Sequence, residues 1–271
     1  MSIVPSTAPQ QTRRRTAWAV QRSVFLALLL RELRARVGGQ WMGALWTLFE
    51  PLAHVMLLVA LLGLMSNAAL PGIEYPVFLA TGLVPYFLFQ NLAMRLMDGI
   101  ESNRGLFSYR QVKPLDPLLS RAAVELLMNS AVYIFTLGIL AWVGFQVLPA
   151  QPMEMLGVQA LTALLGIGVG LSFAVLGHER PRVKTLLRMV FFPLYLATGV
   201  IFPVDLLPRE TIEWLLWNPM LHLVEMSRHA FMPAYQPVDG VNALFPLQVT
   251  LGYLLLGLLL YRTDRHRLVS T

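Results

Sequence analysis

Residues 126–153 read LLMNSAVYIFTLGILAWVGFQVLPAQPM, and residues 155–178 read MLGVQALTALLGIGVGLSFAVLGH. Neither stretch contains Asp, Glu, Lys or Arg. A helix needs about 20 mainly apolar residues to cross a hydrocarbon core about 30 Å thick. Each stretch is long enough, so the sequence predicts two consecutive membrane spans joined by a short turn.

The composition of the whole chain agrees with this. Of its 271 residues, 56% are hydrophobic and only 13% are charged, and the mean hydropathy is +0.60. A soluble domain of this length carries more charge. The chain has no cysteine, which excludes disulfides, thiol catalysis and thiolate metal sites. The sequence predicts an all-α membrane protein.

Further spans are predicted from the remaining uncharged runs. Residues 51–73, 75–94 and 241–261 each reach the required length. Five spans with a cytoplasmic N-terminus would place the basic C-terminal segment outside, against the positive-inside rule. A sixth span is therefore predicted at residues 189–204, extended to include Leu186 and Leu187.

The distribution of Lys and Arg predicts the orientation. Nineteen of the 21 basic residues lie in four groups, at residues 13–36, 95–121, 180–188 and 262–267. Short basic loops stay on the cytoplasmic side, so both termini are predicted to be cytoplasmic. The net charge of +6 is then explained by topology and anionic headgroups, and no nucleic-acid partner is expected.

Two segments outside the spans have unusual patterns. Residues 17–40 mix apolar and basic side chains, which predicts an amphipathic helix in the cytoplasmic interface. Residues 205–240 should be external, yet residues 212–224 are apolar and are interrupted at Asn218-Pro219. Each half is too short to cross, so we expect a re-entrant helical hairpin that dips into the outer half of the membrane.

No catalytic or nucleotide-binding motif is present. The chain lacks G-x-x-x-x-G-K-[ST], G-x-S-x-G and H-E-x-x-H, and its five histidines are dispersed. Gly166, Gly168 and Gly170 lie within a span, where close helix packing is their expected role. If this chain takes part in driven work, another subunit must bind the nucleotide.

The internal loop at residues 101–116 reads ESNRGLFSYRQVKPLD and contains an apolar cluster of Leu106, Phe107 and Tyr109 flanked by basic residues. This pattern predicts a short helix that docks into a cytoplasmic partner. An ordinary solvated turn is the alternative.

Several polar and aromatic residues have two open interpretations. Glu50 and His54 either pair with each other or face a translocation path. The side chains of Trp214 and Trp217 either belong to an interfacial aromatic belt or stack on a passing sugar polymer. Glu225 and Arg228, three residues apart, are expected to pair and hold the hairpin in shape.

Four segments together resemble the membrane subunit of bacterial capsular polysaccharide exporters, permeases of the type-2 ABC transporter group. They are LFEPLAH at residues 48–54, GLFSYRQVKPLD at 105–116, LLWNPMLHLVEMSRHAFMPAY at 215–235 and LLYRTDRHRLVST at 259–271. The resemblance covers nearly the whole chain as a single transmembrane domain, residues 1–271.

The resemblance implies a homodimer bound to two separate ATPase subunits that carry ATP and Mg, with no cofactor in this chain. It also implies an inner-membrane path for a lipid-linked polysaccharide, a periplasmic adaptor and an outer-membrane exit protein. The implied coupling residues are Gly105, Leu106, Phe107, Tyr109, Arg110, Val112, Lys113 and Pro114. Candidates for the substrate path are Trp41, Trp46, Glu50, His54, Trp214, Trp217, Asn218, His222, Glu225 and Arg228.

Two rival functions remain. One is the export of an O-antigen, a teichoic acid or a small molecule. The other is a membrane-embedded enzyme that makes or trims glycans, which would need convergent carboxylates. The predicted external acids are scattered along the sequence, which disfavours the enzyme.

Overall fold

The computed structural model describes residues 16–37, 41–65, 73–109, 111–265 and 267–270, and every regular element among them is a helix. The all-α prediction is confirmed for this part of the chain. The α-helices are α1 (Ala17–Val37), α2 (Trp41–Met65), α3 (Tyr75–Met97), α4 (Leu115–Val143), α5 (Pro152–Leu176), α6 (Pro181–Leu196), α7 (Arg209–Leu215), α8 (Pro219–Phe231), α9 (Leu244–Asp264) and α10 (Arg267–Ser270). Two 3-10 helices lie at Glu101–Leu106 and Val204–Leu206.

Four helices in the described ranges are long and apolar enough to cross a membrane, namely α3, α4, α5 and α9. They coincide with four of the six predicted spans. The other two predicted spans fall on α2, whose described apolar part is Leu48–Leu62, and on α6, which ends at Leu196. The structure supports an all-α membrane protein, and the count of six spans stays a prediction.

Helix α4 begins at Leu115, well before the predicted start of its apolar run at Leu126. Its first turns contain Arg121 and Glu125, and both side chains are paired with α1. Because these charges have partners, the helix continues through them. At its other end Gly144 has a φ of 107°, the left-handed conformation that commonly ends a helix.

Helix α1 occupies the segment predicted to be an interface helix, and it packs along α4 and α2. Leu28 faces the protein and is buried, whereas Arg22 and Arg34 are exposed. Arg36 forms an ion pair with Glu125 of α4. The helix is thus attached to the bundle by a charged contact, and its location in the membrane interface stays a prediction.

Helix α3 is the centre of the bundle, in contact with α2, α4, α5, α6 and α8, and α5 lies between α3 and α9. Small residues bring these helices together. A Cβ on Gly166 would lie 3.0 Å from the carbonyl oxygen of Phe89, and a Cβ on Gly170 would lie 3.0 Å from the Cα of Ala93. The predicted packing role of these glycines is confirmed.

Contacts between connecting segments define two ends of the molecule. At one end, Arg104 beside α3 pairs with Glu179 in the α5–α6 turn. Leu268 of α10 is buried there, in the apolar cluster against which Phe107 packs. We call this the basic end, because described segments of all four basic groups meet there. At the opposite end, the Gln151 N–H donates to the Ala230 carbonyl at 2.9 Å.

Substitution of Gly170 by Leu should destabilise the bundle, because the new side chain has no room between α3 and α5. We expect a loss of about 1–3 kcal/mol in the free energy of unfolding. Gly157→Leu is the matched control, since nothing lies within 4 Å of a Cβ at that position in α5. Thermal unfolding in detergent should show a lower midpoint for Gly170→Leu only; equal shifts would contradict this account of α3–α5 packing.

Candidate functional site

At the basic end, ion pairs tie the start of the predicted coupling segment, residues 101–116, to α6. The Lys184 Nζ lies 2.7 Å from the Glu101 Oε2 and 3.2 Å from the Asp98 Oδ1. The Arg188 NH2 also reaches Asp98, at 2.7 Å. The Lys184 side chain is only 8% exposed. A buried ammonium group needs its carboxylates, so the two segments are held in a fixed relation.

A second set of contacts joins the coupling segment to the α5–α6 turn. The Arg104 guanidinium pairs with the Glu179 carboxylate at 2.9 Å, and the Glu179 N–H donates to the Glu101 Oε1 at 3.0 Å. Glu179 has a φ of 58°, a left-handed conformation that few side-chain-bearing residues adopt. The turn is therefore shaped to present its backbone N–H to Glu101.

These contacts change the pKa of two groups at the basic end. Burial opposes the charge on Glu101, but the hydrogen bonds from Lys184 and the Glu179 N–H, with the positive charge of Lys184, outweigh it and lower the pKa of Glu101. The pKa of His178 is lowered chiefly by burial, against the opposing effect of Glu179. Glu101 is thus held in its charged form.

Asp116 and Asn103 anchor the coupling segment to its neighbours, and the sequence analysis missed both. The Asp116 Oδ2 accepts from the Lys113 N–H at 2.8 Å, and its Oδ1 accepts from the Gln21 side chain at 2.6 Å. The Arg31 side chain donates to the Asn103 Oδ1 at 2.8 Å. An Asp in the first turn of a helix was the available signal for the first contact. No local pattern indicated the partners on α1.

The short helix predicted within residues 101–116 corresponds to the 3-10 helix Glu101–Leu106, and its docking into a partner stays a prediction. The 3-10 helix ends at Leu106, so Phe107 and Tyr109 lie in the turn that follows it. Short runs are usual for 3-10 helices because their hydrogen-bond geometry is poorer than that of an α-helix. Tyr109 is 64% exposed, whereas Phe107 is partly buried.

The remaining coupling candidates differ in exposure. Gly105 and Lys113 are exposed, Val112 is partly exposed and Pro114 is buried, while Arg110 lies outside the described residues. Tyr109 therefore presents the largest apolar side chain that the described part of this turn offers to a partner.

Three substrate-path candidates lie together in a cavity. Trp46, Glu50 and His54 of α2 line a space of about 770 Å³ between α1, α2, α3 and α4. The His54 ring lies 5.5 Å from the ring of Phe87 on α3. Among the described residues Glu50 and His54 form no hydrogen bond with each other, which removes the pairing interpretation. Trp41 begins α2, but its side chain lies outside the described part of the structure.

The predicted break at Asn218-Pro219 is confirmed. Helix α7 ends at Leu215, and α8 begins at Pro219. The Asn218 Oδ1 accepts from the Met220 N–H at 3.0 Å, which caps α8, and its Nδ2 donates to the Ala197 carbonyl at 3.1 Å. The Trp214 and Trp217 side chains are 78% and 75% exposed. Both interpretations of these indoles stay open.

The predicted pairing of Glu225 with Arg228 is confirmed. Their side chains are 3.1 Å apart and neither has exposed surface. The Arg228 NH2 also donates to the carbonyls of Gly199 and Val200, at 2.9 and 2.8 Å. The Tyr235 hydroxyl donates to the Glu225 carboxylate at 2.7 Å. This group of residues, the Arg228 cluster, connects α8 to the segment after α6.

The Arg228 cluster also contacts α3. The guanidinium carbon lies 3.6 Å from the centre of the Phe78 ring, a cation–π contact. Gly82 leaves room for it, since a Cβ there would come within 2.9 Å of the Arg228 NH2. Nearby, buried His222 donates from Nε2 to the Leu216 carbonyl and accepts at Nδ1 from the Asn242 N–H. Structural partners therefore occupy the side chains of Glu225, Arg228 and His222. These three residues do not line the cavity between α1, α2, α3 and α4.

Comparison with known proteins identifies the class. The family model described as ABC-2 type transporter matches residues 23–232. The chain belongs to this family of transporters, and its role is transport rather than enzymatic turnover.

Three similar proteins are named as transport or export proteins. The chain is 38% identical to the polysialic acid transport protein KpsM of Escherichia coli, over 95% of this chain and 99% of KpsM. It is 31% identical to the capsule polysaccharide export inner-membrane protein CtrC of Neisseria meningitidis, over 79% of this chain and 80% of CtrC. It is 25% identical to the O-antigen export system permease protein RfbA of Myxococcus xanthus, over 82% and 86% of the two chains.

Replacement of Arg228 by Met should destabilise the protein strongly, because Glu225 would remain buried without its counter-charge. Removing one partner of a buried ion pair costs about 3–5 kcal/mol. Arg209→Met is the control, since Arg209 on α7 is exposed. Thermal unfolding should separate the two variants clearly. A small, equal effect of both substitutions would show that the Arg228 cluster does not fix α8 to the segment after α6.

The contact between Lys184 and Glu101 should weaken in acid. Folding lowers the pKa of Glu101 below 4.5, so the stabilisation is present above that value and is lost as the pH falls through the folded pKa. Lys184→Met should cost about 1 kcal/mol at neutral pH, and less once the pH is well below 4.5. Arg182→Met, at an exposed position in α6, is the control. A stability difference that does not change with pH would contradict this.

Proposed function

We propose that this chain is the membrane-spanning subunit of an ATP-driven exporter that moves lipid-linked capsular polysaccharide across the bacterial inner membrane. The observation that carries the proposal is the 38% identity to a polysialic acid transport protein over 95% of this chain. A second capsule export relative matches over 79%. A polymer rich in hydroxyl groups needs such a protein, because each unpaired polar group in hydrocarbon costs several kcal/mol.

The proposed topology has six spans, formed by α2, α3, α4, α5, α6 and α9, with both termini cytoplasmic. The meeting of the basic groups at one end supports it, because the positive-inside rule requires those loops to share the cytoplasmic side. The hairpin of α7 and α8 then lies on the periplasmic side. We propose the same boundaries as the sequence predicted for two further segments: residues 17–40 for the interface helix and residues 205–240 for the re-entrant hairpin.

The proposed assembly is a homodimer with two ATPase subunits, which bind ATP and Mg. The coupling segment, residues 101–116, would contact the ATPase through exposed Tyr109. Movement there would reach the spans through Lys184, which bonds both Glu101 and Asp98. A periplasmic adaptor and an outer-membrane exit protein would continue the path, and membrane lipids surround the assembly.

A second candidate is the export of an O-antigen type glycan. The match to an O-antigen export permease over 82% of this chain supports it. The identity of 25% to that relative is lower than the 38% to the polysialic acid transporter, so capsule export is preferred. Analysis of which surface polymer disappears when the chain is deleted distinguishes the two.

Deletion of this chain in its native bacterium should leave the capsular polymer inside the cell, and expression of the wild-type chain should restore export. Tyr109→Asp should not restore it, because a charge replaces the apolar contact with the ATPase. We expect ATP hydrolysis to continue in the purified complex while capsule export falls about tenfold or more, which corresponds to about 1.4 kcal/mol of lost coupling. Surface capsule and ATPase rate are measured on the same variants.

Leu148→Asp is the matched control, because Leu148 lies in the α4–α5 turn at the opposite end and is 87% exposed. It introduces the same charge in place of an exposed apolar side chain and should restore export. If Tyr109→Asp exports normally, the coupling role of this segment is refuted, while the deletion result still tests the transport function itself.

A further inference from the structure

Polar stripes on α2 and α4 converge on the cavity of about 770 Å³. On α2 the stripe contains Trp46, Glu50 and His54, spaced four residues apart. On α4 it contains Arg121, Glu125 and Asn129, with the same spacing. Residues three or four apart lie on one face of a helix, so each stripe faces the cavity as a unit.

Helices α3 and α1 complete the walls. Helix α3 contributes Phe87, Gln90, Asn91, Met94 and Arg95, and α1 contributes Glu32, Ala35 and Arg36. Polar and ionisable side chains in apolar spans rarely face lipid, and they usually mark a pathway or a binding site. Their convergence on one space therefore indicates a ligand.

The charges of the cavity balance. Arg36 pairs with Glu125, and the Arg121 Nε pairs with the Glu32 Oε1 at 2.8 Å. Arg95 and Glu50 complete a set of three cations and three anions among the lining residues. A site for a phosphate headgroup would carry an excess of positive charge. The balance favours a ligand recognised through hydroxyl groups.

Several groups that line the cavity have unused hydrogen-bonding capacity within the described residues. Glu50 has no hydrogen bond or ion pair within the described residues, and the Gln90 amide contacts only the Met94 sulfur, at 3.6 Å. The Asn91 Nδ2 donates to the Asn129 Oδ1 at 3.2 Å, and the Asn129 Nδ2 donates to the Glu125 carbonyl at 2.9 Å. The Asn91 Oδ1 has no hydrogen bond within the described residues and can accept one from a ligand. An acyl chain would leave these groups unpaired, which is costly, whereas sugar hydroxyls would satisfy them.

Aromatic side chains also line the cavity. Trp46 is 63% exposed and lines the cavity, and the rings of His54 and Phe87, 5.5 Å apart, line it as well. A sugar ring has apolar C–H faces and hydroxyl edges, so it needs flat aromatic surfaces together with amides and carboxylates. The volume lies within the range of about 300–1,000 Å³ that is usual for ligand sites.

We propose that this cavity binds sugar units of the transported glycan within a single subunit, on the cytoplasmic half of the membrane. The proposal rests on the proposed function and adds a site to it. Trp46 and Phe87 would pack against the sugar face, and Glu50, Gln90 and Asn91 would bond its hydroxyls. The ion pairs of Arg36 and Arg121 would hold α1 and α4 in place around the mouth.

Photo-crosslinking in native membranes tests this site with the full exporter present. The photoreactive amino acid p-benzoylphenylalanine replaces Met128, which lines the cavity, in cells that make the capsule. The same replacement of Leu127, 57% exposed on the neighbouring face of α4, is the matched control. The probe is the cell's own lipid-linked polymer, and mass spectrometry identifies the captured molecule. Sugar-bearing adducts at Met128 and not at Leu127 support the proposal.

Phospholipid as the sole adduct at Met128, or equal sugar capture at both positions, overturns it. A second variant strengthens the test: Glu50→Gln keeps the shape of the side chain but removes its charge. Glycan capture at Met128 should then fall about tenfold, the effect of losing one good hydrogen bond to a charged group. Unchanged capture in this variant also overturns the proposal.

Different experimental results would contradict the proposed function and the proposed saccharide site. If deletion of the chain leaves the surface capsule unchanged, the proposed function is wrong. If the capsule depends on the chain but Met128 captures only phospholipid, the transport function stands and the saccharide site alone is wrong.

Discussion

A polar group within the hydrocarbon core of a membrane must find its partner in the protein, because no water is available to replace it. A charge buried inside the protein likewise needs a partner there, and the Arg228 cluster shows how this organises the fold. Arg228 has no exposed surface, yet it bonds Glu225 and two backbone carbonyls and lies over the ring of Phe78. One guanidinium thereby fixes α8, the segment after α6 and α3 relative to one another. If Glu225 were removed, the charge of Arg228 would stay buried without its counter-charge, which would destabilise the protein.

The need of a buried charge for counter-charges also explains the contacts at the basic end. Lys184 is almost buried, and its bonds to Asp98 and Glu101 connect α6 to the end of α3 and to the coupling segment. On the other side, α1 is joined to the coupling segment by the bond between Arg31 and Asn103. The proposed ATPase contact therefore rests on a surface whose parts are linked to several helices. A displacement of Tyr109 would therefore be transmitted to those helices through these contacts.

Helix packing and polar pairing have different effects on the proposed transport path. Glycines let α3 and α5 approach closely, so that part of the bundle has no space for a ligand. Between α1, α2, α3 and α4 the side chains are larger and more polar, and a cavity remains. Sugar units proposed to bind there would be held by groups that still have unused hydrogen-bonding capacity within the described residues. The close-packed part and the open part are thus built from different residue types.

The sequence alone determined the helical class, four helices that are long and apolar enough to cross a membrane, the break at Asn218-Pro219 and the pairing of Glu225 with Arg228. These features depend on local chemistry: apolar length, the missing backbone donor of proline and a spacing of three residues on one helix face. Only the tertiary structure decided where α4 begins, how α1 is attached and which polar residues share a cavity. Those outcomes depend on partners far apart in the chain, such as Arg36 with Glu125, and no local pattern specifies which distant charge a side chain will meet.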